Sequence, residues 1–382
     1  MNGQNQVFDF NALLLMMVEK KASDLFITAG RAPTLKIGGR FHSVGKTELS
    51  MRQAKEVVEG IMNDKQQRVF AGEKECNFAI AAQGLGRFRV SAFLQRGCAG
   101  MVLRRIETKI PTFEELNLPP ILQELAMVKR GLVLFVGGTG AGKSSSLAAM
   151  IGYRSREVAG HIITIEDPIE FVHEHDRCLI TQREVGLDTD SFGVALKNTL
   201  RQAPDVILIG EIRARETMEY AVAFAETGHL VLSTLHANSA NQALDRIISF
   251  FPEDARSQLF MDLSLNLKAI IAQQLVPRAD GRGRHAAVEV LLNVPLVSDL
   301  IRKGQVHKLK ELMKRSGEMG MVSFDQALVK LYREGIIGYK DALKHADSAN
   351  EVRLMIKLGT VDGKTLVGEV DVESISLVEQ GD

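Results

Sequence analysis

The run GLVLFVGGTGAGKSSSLAAM carries glycines, a lysine and a serine in the order G-x-x-x-x-G-K-S, at Gly137, Gly142, Lys143 and Ser144. An apolar segment precedes it and a helix-forming segment follows, which is the context a phosphate-binding loop requires. Glycine tolerates positive φ and has no side chain, so the successive N–H groups of Gly138, Thr139, Gly140, Ala141 and Gly142 can wrap a phosphate. The start of the following helix, at Ser144 and Ser145, adds its partial positive charge. Lys143 can reach the β- and γ-phosphates, and the Ser144 hydroxyl can ligate Mg²⁺. The pattern therefore predicts ATP with Mg²⁺. A dinucleotide-binding fingerprint fits less well: Gly138, Gly140 and Gly142 do not form G-x-G-x-x-G, and a lysine stands where the helix should simply begin.

Phosphoanhydride hydrolysis also needs a base or polariser for water and a carboxylate near the metal. HIITIEDPIEF puts Glu166, Asp167 and Glu170 just past one apolar segment, and DVILIGEIR puts Glu211 just past another. The second resembles a Walker B strand in which Gly210 takes the place of the usual Asp and Glu211 follows. In ETGHLVLSTLHANS, His229 and His236 lie seven positions apart, at opposite ends of a third apolar segment. His236 falls at the carboxyl end, where ligands of parallel sheets bind. Spacing of this kind does not suit a zinc site.

These residues need a scaffold, and the patterning supplies one. Apolar runs at 132–136, 161–165, 206–209 and 229–233 alternate with helical periodicity at 144–153, 192–201 and 216–226, which predicts a mostly parallel sheet with helices on both faces. Residues 1–107 read instead as a smaller α+β domain. Its helices are expected over 10–20 and 52–63, and its strands over 25–28, 34–37, 87–93 and 100–106. Pro111, Pro119 and Pro120 mark 108–120 as a linker. An ATPase domain should then cover 121–359, mainly helical beyond about 250, with a capping box at Ser323 and Gln326. Residues 360–382 form an acidic tail.

Composition narrows the function. Lys+Arg and Asp+Glu both number 47, so the formal net charge is zero, and aromatic residues make up 5%. A nucleic-acid motor usually shows a basic excess and stacking aromatics. The apolar runs are much shorter than the roughly 20 residues of a membrane span. The run 12–18 lacks the flanks of a signal peptide. Cys76, Cys98 and Cys178 are too few and too scattered for a disulfide framework. The expectation is a cytoplasmic chain.

Taken together, GGTGAGKSS, TIEDPIEF, LIGEIR and ETGHLVLSTLH resemble the Walker A, Asp, Walker B and His boxes of the secretion ATPase superfamily, in its PilT/PilU branch of type IV pilus retraction motors. The similarity extends from ASDLFITAG and LGRFRVSAF to GMVSFDQAL. It implies a homo-hexameric ring whose subunits pair a PAS-like N-terminal domain with a RecA-like ATPase domain, and partners at an inner-membrane pilus platform protein. It also implies Glu170 as catalytic acid, Glu211 as the Walker B acid, and His229 and His236 at the nucleotide. Arg87, Arg89, Arg96 and Arg104 would reach the nucleotide from the N-terminal domain. An arginine brought in by domain closure can neutralise transition-state charge.

The chain departs from the branch at Gly138, Phe26, Ala214 and LVSDLIRKG (296–304). The last departure and the acidic extension favour the PilU subtype, an accessory motor working beside a PilT-type paralogue. The absence of a tetracysteine box argues against an export motor. Two other functional classes compete: an ATP-binding regulatory subunit with little hydrolysis, and a RecA-like nucleic-acid motor.

Overall fold

The computed structural model describes residues 9–106, 109–315, 317, 320–361 and 364–365. They fall into two compact units, one of Met1–Lys109 with Ile169–Val172, the other of Ile110–Pro168 with His173–Asp382.

The first unit begins with α1 (Phe10–Glu19), followed by β1 (Asp24–Ile27), β2 (Thr34–Ile37) and β3 (Arg40–Ser43). Next come α2 (Met51–Gly60), α3 (Asp64–Glu73), β4 (Glu75–Ala82), β5 (Gly86–Gln95) and β6 (Cys98–Arg105). Capping boxes start two of the helices, Ser50 with Gln53 and Asn63 with Gln66, each satisfying N–H groups that a helix start leaves unpaired. The strands pair antiparallel in the order β3-β2-β1-β6-β5-β4. Their inward residues, among them Leu25, Phe78, Phe88, Val90, Met101 and Leu103, make this unit's core. Period-2 patterning found β5 and β6. It missed α3 and β4, whose ECNFAIAA has only one aromatic and no β-branched residue but Ile80.

The second unit runs α4 (Ile121–Met127), β7 (Gly131–Val136), α5 (Lys143–Glu157), β8 (Gly160–Glu166), β9 (Cys178–Glu184), α6 (Phe192–Thr199), β10 (Val206–Ile209), α7 (Arg215–Glu226) and β11 (Leu230–Leu235). It continues with α8 (Ala240–Ser249), α9 (Glu253–Asn266), β12 (Leu267–Pro277) and β13 (Arg284–Leu292). Helices α10 (Pro295–Arg302), α11 (Leu309–Arg315), α12 (Phe324–Arg333), α13 (Tyr339–His345) and α14 (Ala349–Leu358) follow. The sheet order is β13-β12-β7-β11-β10-β8-β9, parallel except for β13.

Every residue of β7 is buried. Leu132, Leu134 and Val136 join the core on one face of the sheet, Val133 and Phe135 the core on the other. A strand covered on both faces has no polar side to alternate with, which is why such strands read as continuous apolar runs.

The region beyond 250 is mainly helical as expected, in α9 to α14. What the pattern did not show is that β12 and β13 form a long hairpin within the main sheet. LKAIIAQQLVP mixes Ala, Gln and Leu with β-branched residues and is buried on both sides, so its pattern does not separate strand from helix. The expected capping box is present: Ser323 N–H donates to Gln326 Oε1 at 2.9 Å, and Gln326 N–H to Ser323 Oγ at 3.4 Å. Of the acidic tail, Thr360–Val361 and Lys364–Thr365 pair as two short strands. The rest lies outside the described residues.

Candidate functional site

Because β7, β8, β10 and β11 run parallel, their carboxyl ends share one edge of the sheet. The glycine-rich loop leaves β7 there and leads into α5. Gly137, Gly140 and Gly142 have φ of 154°, 76° and 90°. A Cβ on Gly137 would lie 2.5 Å from the backbone oxygen of Gln273, and one on Gly142 2.7 Å from Gln273 Nε2. Glycine is thus required twice, by conformation and by room. Gly138 and Gly140 face open space, and Thr139 is exposed. Ala141 is buried, while Ser144 and Ser145 are half-buried in the first turn of α5. The Lys143 ammonium is drawn back over the loop, donating to Gly137 O at 2.8 Å and Gly138 O at 3.0 Å. A loop of this shape, opening onto a helix N-terminus beside a lysine, fits the phosphates of a nucleotide.

Two strands over, Glu211 follows β10. Thr234, in β11, fixes the backbone on both sides of it. The Thr234 hydroxyl donates to Gly210 O at 2.7 Å, and Ile212 N–H donates to Thr234 O at 2.9 Å. The Glu211 carboxylate is largely enclosed and engaged at both oxygens. Arg213 donates to Oε2 through Nε at 2.8 Å and lies 2.7 Å away through its terminal nitrogen, while His236 Nε2 lies 3.1 Å from Oε1. Hydrogen bonding and the charge of Glu211 raise the Arg213 guanidinium above its already high value.

Gly210, which replaces the usual acid, is explained by packing. Its N–H donates to Ile165 O at 2.8 Å, and a Cβ would lie 3.1 Å from Glu166 Cα. The ends of β8 and β10 approach closely here, so a side chain at 210 would press on the β8 backbone.

Glu166 ends β8. Its Oε1 accepts from Thr164 Oγ1 at 2.6 Å and Gln182 Nε2 at 3.2 Å. Gln182 in turn accepts from His173 N–H at 2.7 Å. Burial pushes the His173 imidazole down to about 4, so it is neutral near pH 7. Glu170 is exposed and lies in the four-residue segment, 169–172, that belongs with the first unit.

The fold thus brings Gly137–Ser145, Glu166, Glu211 and His236 to one edge. His229 is not among them. It precedes β11, its Nδ1 lies 3.1 Å from Phe224 O, and its carbonyl accepts from Gly131 N–H, at the first residue of β7. A six-residue strand separates it from His236, on the order of 20 Å.

The arginines of the first unit do not form one cluster. Arg89 and Arg104 are directly opposed on β5 and β6, with Arg87 two residues along. Arg104 Nε donates to the buried Asp24 at 2.9 Å. Arg96 sits in the β5–β6 turn with φ of 51°, at the far end of that hairpin. Sequence reasoning missed Gln273, Thr234, Gln182 and the Arg213–Glu211 pair. Arg213 and Thr234 stand inside the boxes LIGEIR and ETGHLVLSTLH, while Gln182 and Gln273 lie outside all four.

A largely parallel sheet with a glycine loop after a central strand and carboxylates after its neighbours is a RecA-like P-loop ATPase fold. The chain belongs to the Type II/IV secretion system protein family, which matches residues 6–359, and within it to the PilT/PilU secretion ATPases. It is 66% identical over 373 residues to the Type IV pilus ATPase PilU of Pseudomonas aeruginosa, covering 98% of this chain and 96% of that one. It is 40% identical over 338 residues to the same organism's Type IV pilus retractation ATPase PilT, covering 88% and 98%. The crystal structure of the pilus retraction motor PilT with bound ADP superposes with a TM-score of 0.85 at 37% identity, covering 91% of this chain and 99% of that one. Among the described residues no helix is long and apolar enough to cross a membrane.

Proposed function

We propose that this chain is a hexameric, Mg²⁺-dependent ATP hydrolase that powers type IV pilus retraction, as a PilU-type accessory motor. One observation carries the reading. A phosphate-shaped glycine loop with Lys143, and the Glu211–His236 pair held by Thr234, share one sheet edge. The greater identity to PilU than to PilT supports the subtype.

In this reading the N–H groups of 138–142 and Lys143 would hold the phosphates, and Ser144 and Glu211 would hold the metal. Bound Mg²⁺ would neutralise charge developing on the phosphoryl oxygens. Glu170 orients the attacking water. Engaged by Arg213 and His236, the Glu211 carboxylate is oriented before nucleotide arrives, and His236 reports nucleotide through it. Arg87, Arg89, Arg96 and Arg104 supply positive charge by domain closure, and His229 acts at the nucleotide only across a subunit boundary of the ring. The partners are a PilT-type paralogue and an inner-membrane pilus platform protein on the cytoplasmic side, with no direct nucleic acid.

The test is pilus retraction in cells lacking this protein, its PilT-type paralogue, or both, complemented with wild type or Lys143→Ala. Retraction that weakens without the protein and is not restored by Lys143→Ala supports the motor. Equal restoration by both refutes ATP-driven work by this chain.

A further inference from the structure

We infer that Gln273 is a positioning residue for the phosphate loop. The inference rests on the nucleotide-binding reading above and deepens it. Gln273 lies on β12, about 130 residues from the loop in sequence and 3% exposed. The strand register places it next to the point where β7 gives way to the loop, since Ala272 is the partner of Val136.

Three of its groups meet three parts of the loop. Its backbone oxygen closes against Gly137 at the loop's entry, at the 2.5 Å a Cβ there would encounter. Its Nε2 fills the space beneath Gly142 at the loop's exit, 2.7 Å from a Cβ position. Its Oε1 accepts from the buried Ser146 hydroxyl at 2.7 Å, in the first turn of α5. Ser146 N–H in turn donates to Gly142 O at 3.0 Å.

The side chain therefore ties the start of α5 to the neighbouring strand, directly behind Lys143 and Ser144. These are the groups assigned to the β- and γ-phosphates and the metal. Preorganised donors act only if they do not have to be moved into place during the reaction. A loosened helix start should weaken ATP-specific contacts more than the backbone grip shared by ATP and ADP.

Three variants test this: Gln273→Met, which keeps volume and removes the bond; Ser146→Ala, which removes its other half; and the double variant. Each is measured for melting temperature, kcat, KM, and affinity for ADP and a non-hydrolysable ATP analogue, with Lys143→Ala as reference. Gln273→Met should lower kcat at least tenfold and weaken the ATP analogue several-fold more than ADP, alongside the fall in melting temperature expected from stranding the buried Ser146 hydroxyl. Ser146→Ala should show the same split, and the double variant should be no worse than the poorer single one, because both delete one interaction. A buried polar residue that only supports the fold would lower melting temperature and leave kcat, KM and the ATP/ADP split of the folded protein alone. That result would overturn the inference while Lys143→Ala still upheld the nucleotide site. Additive losses in the double variant would also overturn it. Wild-type protein without nucleotide affinity would overturn both readings.

Discussion

His236 Nε2 lies 3.1 Å from Glu211 Oε1, and a single residue, Thr234, holds the backbone on both sides of that glutamate. The histidine follows β11 and the glutamate follows β10, so the contact is made by strand register and not by sequence proximity.

Glu211→Gln should retain nucleotide binding and lose turnover by on the order of 10²-fold or more, since removing the carboxylate's charge affects the transition state more than the ground state. Glu170→Gln should behave likewise. Steady-state ATPase together with fluorescent-nucleotide titration measures both. Turnover that survives Glu170→Gln but not Glu166→Gln would move the catalytic role to Glu166.

Gly210→Ala should destabilise the second unit by about 1–3 kcal/mol, because its Cβ would press on Glu166 Cα and Ile165 O. Turnover should fall too, as Glu166 and Glu211 are both displaced. Thermal unfolding and ATPase assays on the same preparation read the two effects. A variant as stable as wild type would show that the close approach of β8 and β10 is not what excludes a side chain there.

The two arginines Arg96 and Arg104 should separate. Arg104→Ala removes the ion pair of the buried Asp24, which among the described residues then keeps the Ser23 hydroxyl at 2.8 Å. It should therefore destabilise the first unit by about 1–3 kcal/mol in addition to lowering turnover. Arg96, exposed in its turn, carries no such burden, so Arg96→Ala should leave unfolding unchanged. Urea titration distinguishes them. Equal destabilisation by both would contradict the role given to the Asp24 pair.

Glu289 is buried on β13, its Oε1 accepting from Ala240 N–H at 2.8 Å and its Oε2 from Phe324 N–H at 3.3 Å, at the first residues of α8 and α12. Burial pushes its carboxyl up from 4.5 to about 7, against the pull of those N–H groups and of Lys310, while Asp347 adds to the rise. The folded chain thus keeps a proton that the unfolded chain releases. The resulting stability is fully present below about pH 4.5 and lost as pH rises through about 7. Glu289→Gln removes this dependence. The wild-type-minus-variant difference in unfolding free energy should decline by on the order of 2–3 kcal/mol across that window. The raised carboxyl of Asp325 and the lowered imidazole of His173 are common to both proteins and cancel. A flat difference would refute the assignment.

The four boxes were legible because each is a local pattern: a glycine loop between strand and helix, or polar residues at the end of an apolar run. The parallel sheet was legible for the same reason, as in LVLFV and VILI. Gln273 was not, since its role comes from a strand that pairs with β7 across a long sequence separation and whose AIIAQQLV fits a buried helix as well as a strand. The packing that requires Gly210 was hidden too: the sequence displays the departure, while its cause lies in the approach of β8. That His229 and His236 sit at opposite edges was legible from their seven-residue spacing across one apolar run, and the parallel pairing of β11 bears it out.

ATP hydrolysis by the purified full-length chain, wild type beside Lys143→Ala, tests the central claim most directly. Wild type should turn over ATP in a Mg²⁺-dependent manner with no stimulation by single-stranded DNA. Lys143→Ala should fold and lose turnover by on the order of 10²-fold or more, because the ammonium sits on a loop shaped for phosphate and is the side-chain cation placed to reach the β- and γ-phosphates. Wild-type turnover in a folded Lys143→Ala protein would contradict the phosphate-site assignment and the motor built on it.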